Sequence, residues 1–184
     1  MSLRGGIGLP ELPIKDGREF RLGIMGGTFD PIHYGHLVTA EQARESLDLD
    51  AVLFMPAGSP AFKLDKPVTP AEDRYAMTVL ATAANPAFLA SRFEIDRPGV
   101  TYTADTLSAL REFYPPQVKL YFITGADAII DIVTWHNADE IAELATFIAA
   151  TRPGFDIDTA RARIKESGLP FDVRYIQIPA LAIS

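Results

Sequence analysis

The sequence predicts an α/β fold: one domain built on a parallel sheet with helices wound on both faces. Three observations carry this. From Phe20 onward, short apolar runs alternate with stretches of helical period. The order they spell is β-α-β-α-β-α-β-α-β-α-β, and parallel strands are joined through such crossover helices. Finally, 184 residues with 48% hydrophobic and 22% charged side chains suit one domain with a sizeable core, since a chain of ~150 residues already buries roughly 70% of its unfolded surface.

Each element has its own signal. Residues 1–18 mix Gly, Pro and charge without a period and read as a loose arm, leaving residues 19–184 as the domain. The arm lacks the apolar stretch of a secretory signal. Phe20 to Met25 is a strand, stopped by Gly26-Gly27. Gly35 to Leu47 is helical, with Leu37, Ala40, Ala43 and Leu47 spaced by three and four. Val52 to Met55 is a buried strand ended by Pro56 and Gly58, and 57–68 is a loop. Thr69-Pro70-Ala71-Glu72 reads as a capping box with proline in the first turn. It opens a helix to about Ala84, with Met77, Leu80, Ala81 and Ala84 expected inward. Phe88 to Ile95 is strand-like. Thr103 to Phe113 is helical, ended by Pro115-Pro116. Val118 to Thr124 is a strand, Gly125-Ala126-Asp127 a turn and 127–133 a short helix. Asn137 with Glu140 opens another helix carrying Ile141 and Leu144. Phe147 to Ala150 is a strand, Ile157 to Ser167 a helix with Gly168 past its end, and Val173 to Ile178 the last strand.

Composition removes whole classes of function. Lys and Arg number 17 against 24 Asp and Glu, a net charge of −7, so the chain lacks the basic field of a nucleic-acid binder. No apolar run nears the ~20 residues of a membrane span. With no cysteine, disulfides, thiolate nucleophiles and Cys-ligated metals are excluded, and the composition suits the cytoplasm. The oligomeric state is left open, a homo-oligomer included.

In doubly wound sheets, ligands bind beyond the carboxyl ends of the strands, so the loops there are the places to look. The richest runs Gly26-Gly27-Thr28-Phe29-Asp30-Pro31-Ile32-His33-Tyr34-Gly35-His36-Leu37. It follows a strand and opens a helix, where glycines allow close approach of a bulky anion and unpaired amides and the helix dipole favour it. His33 and His36, two of the three histidines, can donate to phosphate and stabilise developing negative charge there. H-x-x-H is also a metal-ligand spacing, although no Cys is present to complete a site. Asp30 before Pro31 reads as a turn device. The loop is neither Walker A nor G-x-G-x-x-G, which weakens a dinucleotide-dependent oxidoreductase.

GGTFDPIHYGHL resembles the T/H-x-G-H signature of the nucleotidylyltransferase superfamily. With AEDRYAM, PGVTYTADTL, FITGADA, the Trp135 segment, TRPG and IPALAIS, the chain resembles the bacterial nicotinate-nucleotide adenylyltransferases from about Arg21 to its end. The resemblance implies a Rossmann-like fold, ATP and nicotinate mononucleotide as substrates, and deamido-NAD and pyrophosphate as products, a step of NAD biosynthesis. It implies His33, His36 and Lys63 as the catalytic residues on the ATP phosphates, with Lys66 the alternative lysine. Gly26, Gly27, Thr28 and Phe29 would form the loop around them, and Mg²⁺ would arrive with the triphosphate.

For the second substrate the resemblance implies Trp135 over the pyridine ring, and the alternative is a core indole. Tyr102 and Thr103 precede a helix whose amides can meet the nicotinate carboxylate; Thr103 could equally be a helix cap. Gly125 and Asp127 match the sugar-contacting position, and Arg152 a substrate contact or a loop closer. Arg74 reads as structural. The family continues past IPALAIS with Ser, Thr and then Arg, so a chain ending at Ser184 is expected to bind the mononucleotide but turn ATP over poorly. The competing readings are another small nucleotidylyltransferase, such as phosphopantetheine adenylyltransferase, and a catalytically impaired nucleotide-binding module.

Overall fold

A computed structural model of the chain describes residues 8–15, 17–59 and 67–178. Lys63, Lys66 and the residues after Ile178 lie outside them. Six strands form one sheet: β1 Phe20–Gly27, β2 Ala51–Pro56, β3 Phe88–Ala90, β4 Val118–Gly125, β5 Thr146–Thr151 and β6 Val173–Gln177. All neighbours pair in parallel, in the order β3-β2-β1-β4-β5-β6. The crossovers carry α1 Tyr34–Ser46, α2 Ala71–Thr82, α3 Thr103–Phe113, α4 Ala126–Ile130, α5 Ala138–Leu144 and α6 Ile157–Ser167. A 3₁₀ turn, Ile132–Thr134, joins α4 to α5.

The strand pleat explains the two-faced core. Successive side chains point to opposite faces. Leu22, Ile24, Leu53 and Met55 enter one cluster with Leu107 and Leu110 of α3, Ile129 of α4 and Ile141 of α5. Met25, Val52, Phe54 and Ile123 enter the other with Ala40 and Ala43 of α1. Every residue of β2 is buried, and each large side chain buried this way contributes roughly 1.5–3 kcal/mol. The small alanines of α1 let it lie close to the sheet. Residues of the N-terminal arm join the first cluster: Leu9 is in it, and Tyr114 Oη donates to Pro10 O at 2.7 Å. No helix among the described residues is long and apolar enough to cross a membrane.

Four local expectations are corrected. The helix α2 is rotated from the expected face: Arg74, Thr78 and Thr82 are buried and the expected Met77 and Ala81 half-buried beside them, while Leu80 is 77% exposed and Ala84 lies exposed past the helix end. Its inward hydroxyls are satisfied within the helix, Thr78 Oγ1 donating to Arg74 O (2.8 Å) and Thr82 Oγ1 to Thr78 O (2.9 Å). The position of Arg74 dictates this rotation, for reasons given below. The helix starts one residue after Pro70, without a side-chain cap; the Thr69 amide instead donates to Asp30 Oδ2 at 3.0 Å. The strand β3 ends at Ala90 rather than Ile95. Ser91 N makes the next bond to Phe54 O, and then Ser91 Oγ accepts from Phe93 N and donates to Gly8 O, turning the chain away. Asn137 precedes α5 in the left-handed region (φ 52°) and its side chain donates to Glu140 instead of accepting from the helix. Gly168 does end α6, at φ 69°.

Candidate active site

The strand order reverses direction between β1 and β4, so the loops leaving these two strands diverge and open a crevice at their carboxyl ends. Ligands bind there in open α/β sheets. The residues at this edge are Gly26 and Gly27 closing β1, Thr28 just beyond, Gly125 closing β4 and Arg152 following β5.

The β1–α1 loop holds both histidines. His33 precedes α1 with extended backbone (φ −145°, ψ 171°). Its ring stacks on that of His36, with centroids 3.9 Å apart and planes 28° apart. The His33 amide donates to His36 Nδ1 at 3.2 Å. An Nδ1 that accepts leaves the proton of the neutral ring on Nε2, as a donor. Burial, and then the neighbouring His33, push the His36 imidazole down to about 4. His36 is therefore a neutral hydrogen-bond donor in the free protein. Nδ1 of His33 is buried with no partner among the described residues. Gly35 is required by this arrangement: a Cβ there would sit 2.9 Å from Cε1 and Nδ1 of His33. Parallel rings, one already bonded to backbone through Nδ1, do not converge on an ion, and no group of three or more metal-ligating side chains assembles among the described residues.

Phe29 is 2% exposed, with φ 50°. Its ring meets His36 edge-on at 5.0 Å and Phe54 at 6.0 Å. Its side chain thus backs His36 from the core.

Arg74, 1% exposed, ties the loops together. Nη1 donates to Thr28 O at 2.7 Å, Nε to Thr69 O at 2.8 Å and Nη2 to Gly58 O at 3.2 Å. One guanidinium anchors the loop after β1, the loop after β2 and the start of α2. Its planar fork of donors suits this task as a lysine would not. It also places a fixed positive charge behind the crevice. This requirement, rather than the apolar pattern, sets the face that α2 buries.

The second half of the crevice is built on α3 and β4. Tyr102 precedes α3 with extended backbone and no side-chain cap, so the first-turn amides are not engaged by it. The Tyr102 ring lies 4.5 Å from that of His136, tilted by 33°. Trp135 is half-buried, edge-on to Phe122 (6.1 Å) and Phe147 (6.4 Å), so part of its indole closes the rim of the core. Phe122 links the halves: its ring also lies 3.5 Å from where a Cβ of Gly26 would stand. Above Gly125 there is open space, and Asp127 is exposed in the first turn of α4. Arg152 is exposed, and its carbonyl accepts from Phe155 N at 3.1 Å, closing the loop after β5.

Two residues escaped the sequence reading. His136, the third histidine, has Trp135 beside it as its one local signal. Glu94 lies in the apolar stretch 88–95 taken for strand, where an acid breaking the apolar run was the available hint. It is 7% exposed, accepts from Thr106 Oγ1 at 2.7 Å, and is pushed up to about 7 by burial.

Comparison with known proteins agrees with this architecture. A family profile described as cytidylyltransferase-like matches residues 24–178. A protein of Moorella thermoacetica described as a probable nicotinate-nucleotide adenylyltransferase is 57% identical over 173 residues, covering 91% of this chain and 78% of the relative. One of Thermoanaerobacter with the same description is 53% identical over 171 residues, covering 91% and 80%. Among solved structures, the nicotinic acid mononucleotide adenylyltransferase of Plasmodium falciparum complexed with NaAD superposes with a TM-score of 0.71 at 24% identity, over 89% of this chain and 77% of that one, a likeness of fold. The parallel order, the histidine loop at its switch point and these matches together place the chain in the cytidylyltransferase-like family, among the nicotinate-nucleotide adenylyltransferases.

Proposed function

We propose that the crevice transfers the adenylyl group of ATP to nicotinate mononucleotide, yielding deamido-NAD and pyrophosphate. The observation that carries this reading is the stacked His33–His36 pair at the start of α1, at the switch point of the sheet. A 5′-phosphate oxygen of the mononucleotide attacks the α-phosphorus of ATP. A phosphorus–oxygen bond forms on one side, the bond to the bridging oxygen breaks on the other, and pyrophosphate leaves. The nucleophile is already an anion, so no base is needed. The task is to align two anions and to neutralise the charge that builds on the α-phosphate and the leaving group.

The residues suit that task. His36 donates from Nε2 to a phosphate oxygen, and His33 stands against it. The α1 amides add the positive end of the helix dipole, and Gly26, Gly27 and Thr28 bring backbone close to the triphosphate. Arg74 holds the loops at a fixed spacing and adds its charge from behind. Lys63, carried over from the family pattern, supplies a further cation. Mg²⁺ belongs to the substrate, which enters as MgATP. On the other side, Trp135 stacks on the pyridine ring, the first amides of α3 at Tyr102 and Thr103 receive the nicotinate carboxylate, Gly125 and Asp127 meet sugar, and Arg152 meets substrate phosphate. The absence of cysteine from the sequence fits work in the cytoplasm.

The test is direct. The protein is incubated with MgATP and either nicotinate mononucleotide, nicotinamide mononucleotide or phosphopantetheine, and pyrophosphate is measured. Release is expected with the mononucleotides, fastest with the acid. Release with phosphopantetheine alone would replace this reading by the other adenylyltransferase.

A further inference from the structure

Glu94 is buried and titratable, and the mechanism above does not use it. It lies in the 91–102 connection from β3 to α3. Its Oε1 accepts from Thr106 Oγ1, and Thr106 shares a face of α3 with Thr103, three residues earlier. The Glu94 carbonyl is so close to Gly58 that a Cβ there would sit 2.3 Å from it. Thr101 N donates to Ser59 O at 3.2 Å. The residue is thus wedged between the stem of the 57–68 loop and the opening turn of α3.

Among the described residues, the charged groups around it are few. Arg97, on its own segment, favours ionisation, but burial outweighs it. Arg92 and Asp96 pair at the surface, Arg92 also with Glu72. The first turn of α3 carries Asp105, and beyond Gly58 lies the Arg74 guanidinium. His136 flanks the same helix start through Tyr102.

We propose that Glu94 is a positioning residue that couples nicotinate binding to a proton. Through Thr106 it sets the opening turn of α3, and its carboxyl group takes a proton from solvent when a ligand carboxylate docks on that turn. The inference rests on reading the first α3 amides as the seat of the nicotinate carboxylate. Two carboxylates sharing one helix start in a poorly solvated site repel each other. Protonating Glu94 relieves this and leaves its contact with the Thr106 hydroxyl available. By linkage, ligand and proton strengthen each other's binding. Affinity for the acid should therefore fall as pH rises through neutrality. Affinity for nicotinamide mononucleotide, which carries a neutral amide, should not follow it.

Calorimetry on the full chain decides this, with both mononucleotides between pH 6 and 8. The phosphate they share titrates alike, so the acid-to-amide affinity ratio isolates the carboxylate. The ratio should drop roughly fivefold or more across the range, and stay level in Glu94→Gln. A level ratio in the unmodified protein overturns the proposal. So does an undiminished drop in Glu94→Gln, which would assign the proton to another group such as His136. A measurement independent of that variant is the ¹³C titration of the Glu94 carboxyl in the unmodified protein. Its midpoint should lie near 7 and rise on adding the acid but not the amide; an unmoved midpoint overturns the coupling. If neither mononucleotide binds, or if Trp135→Ala leaves their binding intact, the underlying site reading falls and the proposal with it. Trp135-dependent binding with a level ratio removes the coupling alone.

Discussion

His33 and His36 act at the scale of single atoms. The His33 amide fixes the tautomer of His36, and Gly35 leaves room for the His33 ring. Replacing either histidine with Asn should lower turnover by at least about tenfold, or about 1.4 kcal/mol of transition-state stabilisation, without unfolding the protein. Steady-state pyrophosphate release and circular dichroism check this, and near-normal rates in both variants would remove the pair from catalysis. Arg74 acts on the same scale but through structure. Arg74→Met removes three hydrogen bonds from a charged group to the half-buried carbonyls of Thr28, Gly58 and Thr69, and such bonds contribute about 1.5–3 kcal/mol each. A stability loss of about 3 kcal/mol or more in urea unfolding is expected. A loss under about 1 kcal/mol would mean that water replaces the guanidinium. Trp135→Ala should weaken mononucleotide binding by roughly 1–3 kcal/mol, the worth of base–aromatic stacking, and spare ATP affinity; calorimetry with each substrate separates the two.

At the scale of elements, α2 shows a local pattern losing to a tertiary demand. Its apolar residues suggest one inward face, and the fold buries Arg74, Thr78 and Thr82 instead. The consequence is measurable. Leu80→Glu should change stability by no more than about 0.5 kcal/mol, as surface substitutions do. Leu107→Ala on α3, at a fully buried position, should cost about 2–5 kcal/mol. Thermal unfolding of the two variants distinguishes this orientation of α2 from the one its sequence pattern suggests. In α3, by contrast, pattern and packing agree: Leu107 and Leu110 are both inward, and no Tyr102 side chain caps its opening turn.

At the scale of the whole molecule, the half-buried His36 and the buried Glu94 give stability opposite dependences on pH. His36 titrates near 6.5 when unfolded and near 4 when folded. Its contribution is complete above 6.5 and is lost as pH falls through 4, because only the unfolded chain takes the proton in between. Glu94 titrates near 4.5 unfolded and near 7 folded. Its contribution is complete below 4.5 and is lost as pH rises through 7, because only the folded chain holds the proton in between. Denaturant unfolding from pH 5 to 8 should show Glu94→Gln gaining stability relative to the unmodified protein as pH rises. The reverse slope would mean that Glu94 is ionised in the fold.

The alternation of strands and helices from Phe20 to Ile178 was legible in the sequence, because each element announces itself over a few neighbouring residues. So was the place of the Gly26–His36 loop, a strand end running into a helix start, whose glycines and paired histidines are compressed into eleven consecutive residues. What only the tertiary structure decided depends on residues distant in the chain. The stacking of the imidazoles rests on packing from Phe29, itself held by Phe54. The face that α2 buries is chosen by carbonyls of three separate segments, and the early end of β3 by contacts with Gly8 and Phe54. Glu94 reads as one more polar residue beside a strand until the fold brings Thr106 and Gly58 against it. Periodicity and motif are local properties, whereas burial and hydrogen-bond satisfaction belong to the assembled molecule, and those two set the chemistry of its buried charges.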